Sequence, residues 1–140
     1  MNSYKCLFRV ACLCVAAFVL ASCSSPGRRY LAKRTDINPN VREAILQNRV
    51  ILGMYPDEAH AAAGRFVYSF RPDKKRWEIE KRSGIYTDGL SVMFSQRSHP
   101  DSSHIKMTFR NSSQFNPPQP VSFTVTFRRG RAVSITRNPQ

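Results

Sequence analysis

The sequence predicts an α+β fold, with two short N-terminal helices packed on one face of an antiparallel β-sheet of three or more strands. Two proline-led helix starts, Asn38-Pro39 and Tyr55-Pro56, come first in the chain. Strict alternation of apolar and polar residues comes later, most clearly in Ile105–Arg110 and Val121–Phe127. Helices before strands, with a period of two on the strands, is the pattern of helices covering one side of an antiparallel sheet.

The N-terminus reads as a separate segment. Lys5 and Arg9 make it basic, and Val10 to Ala21 then runs without a charged group. A bilayer-spanning helix needs about 20 apolar residues, so this run is short for a span and suits the h-region of a secretory signal peptide. Its end, Leu20-Ala21-Ser22-Cys23, resembles a bacterial lipobox. The resemblance implies cleavage after Ser22 and attachment of acyl chains to Cys23. A thiol suits that role because its thiolate is the competent nucleophile, and several acyl chains on one residue anchor firmly where one chain would not. An ordinary signal peptide or an uncleaved anchor is the competing reading. Ser24 follows the cysteine in place of the Asp of an inner-membrane retention signal, which suggests an outer-membrane lipid anchor facing the periplasm.

Residues 1–22 are therefore read as a lipoprotein signal peptide, 23–38 as the lipidated cysteine and a flexible basic tether, and 39–140 as the α+β domain. The tether, rich in arginine and carrying Pro26 and Gly27, lacks a clean period. Cys6, Cys12 and Cys14 leave with the leader, so no disulfide framework and no cysteine-based metal site is open to the mature chain. Two of the 22 basic residues leave as well and all nine acidic ones stay, which takes the formal charge from +13 to +11. In the cytosol such a balance would point to nucleic acid. Export excludes that partner and leaves anionic lipid, envelope polymers and acidic protein surfaces. A solvated basic face without a dedicated ligand is the plainer alternative.

Along the domain, Asn38 supplies a side-chain cap and Pro39 the first helical position. Val41, Ala44 and Ile45 fall at helical spacing, and this helix ends near Gln47 or Asn48. The second helix opens at Pro56 with Asp57 and Glu58 in its first turn, where the helix dipole favours carboxylates, and stops at Gly64. Strands are expected at Trp77–Ile79, Leu90–Phe94, Ile105–Phe109, Val121–Phe127 and Ala132–Ile135, with 65–71 a weaker one. Residues 112–120, with three prolines, form a loop.

The segment VILGMYPDEAHAAAG resembles the helix-turn-helix signature of the BamE-like family of small outer-membrane lipoproteins. Gly53, Met54, Glu58, Ala59 and Gly64 stand at the signature positions, and VTFRRGRAVSI is similar to the family's last hairpin. The resemblance implies two helices against an antiparallel sheet, and an accessory role in outer-membrane protein assembly. Tyr55 departs from the pattern, standing where a capping hydroxyl is usual.

Little in the chain suggests catalysis. His99, Asp101 and His104 cluster in a polar stretch but lack a fourth ligand and a regular spacing. No Gly-x-Ser-x-Gly elbow and no phosphate-cradling Gly-rich loop is present. Glu78 and Glu80 lie among Arg76, Lys81 and Arg82 as an exposed charged edge. No enzymatic activity, cofactor or metal is therefore expected. The best basic cluster is Arg128, Arg129 and Arg131 around Gly130, a hairpin tip whose guanidinium groups could reach phosphate or carboxylate on a lipid or partner. Two readings follow: a lipid-anchored binding or scaffold module that touches an envelope protein complex and anionic lipid, or a small lipoprotein inhibitor or ligand-binding module of an envelope or secreted enzyme.

Overall fold

Strand pairing and helix caps account for most of the order in the chain. The structure, a computed structural model, describes residues 25–84 and 88–139; the leader and Cys23 lie outside them. The elements run α1 (Pro26–Ala32), α2 (Pro39–Leu46), α3 (Pro56–Ala63), β1 (Phe66–Arg71), α4 (Lys74–Ser83), α5 (Gly89–Ser95), β2 (His104–Arg110), β3 (Ser122–Arg128) and β4 (Arg131–Arg137). The four strands form one antiparallel sheet in sequential order. The α+β class is thus observed.

Register decides which face is buried. Phe66 stands opposite Phe109, Tyr68 opposite Met107 and Phe70 opposite Ile105. Those β2 residues stand opposite Phe123, Val125 and Phe127 of β3. Because side chains alternate along a strand, this face is apolar and the other carries serine, threonine and basic residues. The apolar face forms one core with Leu31 of α1, Val41, Ala44 and Ile45 of α2, Ala59 and Ala62 of α3, and Met93 of α5.

The two proline-led helices stand where their caps place them. Asn38 Oδ1 accepts from the Asn40 N–H at 2.9 Å. The absent hydroxyl at Tyr55 is offset by Glu58, whose carboxylate accepts from the Tyr55 N–H at 2.8 Å. Gly53, at φ 85°, turns the chain between the helices. Met54 behind it is fully buried, and both residues bond the edge of β4 through Ala132.

Three expectations are corrected. The basic stretch at 26–32 is a helix and not a flexible tether: Ser25 caps it, Pro26 opens it, and Gly27 and Leu31 are buried. Gly27 and Leu31, together with Tyr30 bonded to Asp57, dock it despite four basic neighbours. Trp77–Ile79 lies in α4 and not in a strand. Asp73 Oδ1 caps that helix through the Lys75 and Arg76 N–H groups, and Gly84 in the left-handed region ends it. None of α4 is buried, so its alternation marked no buried face, and Glu80 pairs with Arg76 one helical turn away. Leu90–Phe94 is likewise helical, capped by Asp88 on the Ser91 N–H, with the adjacent pair Val92 and Met93 buried. The segment at 65–71, by contrast, is the edge strand β1.

Candidate functional site

One end of the sheet's polar face gathers basic residues from different strands. Arg71 of β1 pairs with His104 of β2, and Arg128 of β3 pairs with Arg131 of β4. Ile105 stands opposite Phe127, so the next register step sets His104 beside Arg128. Four residues on four strands thus form one row at one end of the sheet. Lys106 lies two residues along β2, on the same face. Arg71, Lys106 and Arg128 are exposed and His104 is half-buried. Beyond the row the face is mostly hydroxyls, with Thr108 and Thr124 bonded across strands at 2.9 Å, and exposed Arg110 and Val67 among them. The face carries no carboxylate.

The imidazole feels this field. Burial and then the charges of Arg128, Lys106 and Arg71 hold the His104 pKa below the ordinary value. A neutral histidine among cations leaves the row's positive charge on its guanidinium and ammonium groups near neutral pH. Such a row can donate charge-assisted hydrogen bonds to carboxylate or phosphate oxygens.

The hairpin arginines differ in what they touch. Arg129 and Gly130 both have positive φ, forming a tight two-residue turn, and Arg128 and Arg129 are exposed. Arg131 is engaged at home: Nη1 donates to the Gly53 carbonyl at 2.9 Å, and its guanidinium lies 3.6 Å from the Tyr55 ring centroid. Sequence spacing grouped Arg128 with Arg129 and Arg131. The fold keeps Arg131 opposite Arg128 and adds Arg71, His104 and Lys106, which the chain supplies from two other strands. The alternation within each strand was the available signal for these partners, since it put all three on one face.

A second charged cluster is inward. Arg97 bonds the nearly buried carboxylate of Glu58, lies 3.6 Å from Asp57 and stacks 4.3 Å from the Tyr55 ring centroid. Tyr30 donates to Asp57 Oδ2 at 2.5 Å, and burial together with this carboxylate pushes its phenol pKa well up. Burial disfavours the Arg97 charge, but Glu58 and Asp57 outweigh it and raise the guanidinium pKa. The cluster ties α1 to α3. Beside it, Arg29, Tyr30, Lys33, His60 and Phe94 line an open cleft of about 390 Å³.

The histidine–aspartate cluster does not converge on an ion. Asp101 accepts from Arg76 at 2.6 Å, Gln96 at 3.0 Å and the Ser103 N–H at 2.8 Å, while His104 stands on the polar sheet face. Burial resists ionisation of Asp101, yet the bonds from Ser103, Gln96 and Arg76 keep its pKa below the usual carboxylate value. Among the described residues no three histidine, cysteine or acidic side chains could hold a metal, and no helix is long and apolar enough to cross a membrane. Comparison with known families, curated proteins and solved structures finds no match to this chain.

Proposed function

We propose that this chain is a lipid-anchored periplasmic binding or scaffold module of the bacterial cell envelope, held through acyl chains on Cys23 in the outer membrane. One observation carries the reading: the lipobox-like Leu20–Cys23 stops two residues before Ser25, the cap of α1. Two residues span at most about 7 Å, so an acylated Cys23 would hold α1 at the bilayer surface. Arg28 and Arg29 are exposed on that helix and Lys33 at its C-terminal cap, and each cation near anionic lipid contributes about 1 kcal/mol.

The BamE-like resemblance belongs to the same proposal. The residues that carry it lie in the α2–Gly53–α3 unit and the β3–β4 hairpin, and the unit's two helices contribute to the core beneath the sheet. An accessory role in outer-membrane protein assembly is the specific form the resemblance gives.

Mass spectrometry of the mature N-terminus, with fractionation of a Cys23→Ser variant, tests the anchor. Acylated Cys23 and release of the variant from membranes are expected. An unacylated cytosolic chain that keeps residues 1–22 would overturn the reading. Co-purification with outer-membrane proteins after mild detergent extraction tests the scaffold role. The cleft beside Tyr30 favours a second reading, an inhibitor or ligand-binding module. A tight soluble partner captured equally by wild type and the Cys23→Ser variant would decide for it.

A further inference from the structure

We infer that the row Arg71–His104–Arg128, with Lys106, is a docking surface for an acidic patch on a partner protein. The inference rests on the lipid-anchor reading in one respect, the direction in which the face points. α1 belongs to the helices that pack on the apolar side of the sheet, and the row lies on the other side. An anchor two residues before α1 thus sets the helices toward the bilayer and displays the row away from it.

Charge and composition select the occupant. The face offers the exposed cations Arg71, Lys106, Arg110 and Arg128, besides Arg131, which is held at Gly53 and Tyr55, together with rows of hydroxyls and no strand carboxylate to repel an acidic partner. Strand spacing of about 4.8 Å puts Arg71 and Arg128 about 10 Å apart, a span that two or three carboxylates on a protein surface can match. Bilayer insertion would favour exposed large apolar groups, and on this face only Val67 and the bulged Val133 answer. The area sets the strength. Four strands of six or seven residues present roughly 400 Å², about half of what one partner buries in a standard interface. The contact should therefore be weak, fast and steered by charge, with strong salt dependence.

The test uses the full lipidated chain in phosphatidylcholine nanodiscs, titrated at low salt with a fluorescent poly-glutamate peptide. Saturable binding is expected, weakened at least about tenfold when Arg71, Lys106 and Arg128 are all changed to Gln. The same change at Arg28, Arg29 and Lys33 should leave it intact. Peptide affinity that ignores the sheet variant, or that falls with the α1 variant instead, overturns the inference. So does a sheet variant that loses phosphatidylglycerol vesicles while the wild type never bound the peptide. Circular dichroism of the variants separates lost binding from lost folding, and singly substituted chains replace any triple variant that unfolds. A chain that fails to enter nanodiscs and carries unacylated Cys23 brings down the anchor reading alone. The titration of that chain in free solution still decides whether the row binds the peptide.

Discussion

Arg97 closes its guanidinium on the carboxylate of Glu58, a side chain only 2% exposed. The same carboxylate caps α3 through the Tyr55 N–H, so one acid serves both a helix start and an ion pair. Removing one partner of a buried pair leaves the other charge uncompensated and costs about 3–5 kcal/mol. Arg97→Met should therefore lower the stability to urea by about 3 kcal/mol. Adding Glu58→Gln to Arg97→Met should recover part of that loss, because the stranded charge is gone. A single-variant cost below about 1 kcal/mol would show that the pair is screened and does not hold α3.

Docking of α1 depends on a glycine. A Cβ on Gly27 would meet Ile45 Cγ2 at 2.9 Å and the Ala61 carbonyl at 3.1 Å. Overpacking of this kind costs about 1–3 kcal/mol, and the cost falls on the contact that makes 26–32 a helix instead of a tether. Gly27→Val should speed amide exchange through Leu31 and Ile37 while β2 and β3 keep their protection. Uniform loss of protection across the sheet would mean that α1 is part of the cooperative core.

Gln114 ties the loop at 112–120 to the chain just before Gly53. Gln114 Oε1 accepts from the Val50 N–H at 2.7 Å, and its Nε2 donates to the Val50 carbonyl at 2.8 Å. Gln114→Leu would keep the volume and orphan both buried backbone groups, each worth about 1–3 kcal/mol. A fall of about 3 kcal/mol in unfolding free energy is expected from denaturant midpoints at constant m-value. A near-neutral substitution would show that water reaches Val50 in the variant.

These contacts show where sequence pattern carries and where it fails. Asn38-Pro39 and Tyr55-Pro56 located two helices because the cap and the proline act within four residues. Ser25-Pro26 carried the same signature, but the surrounding arginines masked a helix that turns Gly27, Leu31 and part of Tyr30 inward. Long alternating runs located β2 and β3, whose whole inner face is core, while β4, with only Ala132 fully buried, followed from a short apolar run after the Gly130 turn. The alternation around Trp77 covered three residues and had no buried counterpart: Trp77 and Ile79 are 46% and 59% exposed in α4. In Leu90–Phe94 the buried neighbours Val92 and Met93 break a period of two, a hint the alternation of Leu90 with Phe94 concealed. The basic row was legible strand by strand but not as a row. Its members are joined only by cross-strand register, which no single strand's pattern encodes.

His104 gives the row a readout in solution. Burial and the cations Arg128, Lys106 and Arg71 depress its pKa in the folded chain below the ordinary 6.5. The unfolded chain therefore takes up the proton first as pH falls. Whatever His104 contributes is fully present above about pH 6.5 and is lost as pH drops through the lower folded-state midpoint. An NMR titration of the imidazole should give a midpoint below 6.5, and Arg128→Gln should move it upward by removing the leading charge. An acidic ligand on the row should move it the same way. His104→Gln should flatten the fall in stability between pH 6.5 and the folded midpoint. A wild-type midpoint at or above 6.5 would mean that the three cations do not act together on this imidazole, and the row would lose its electrostatic basis.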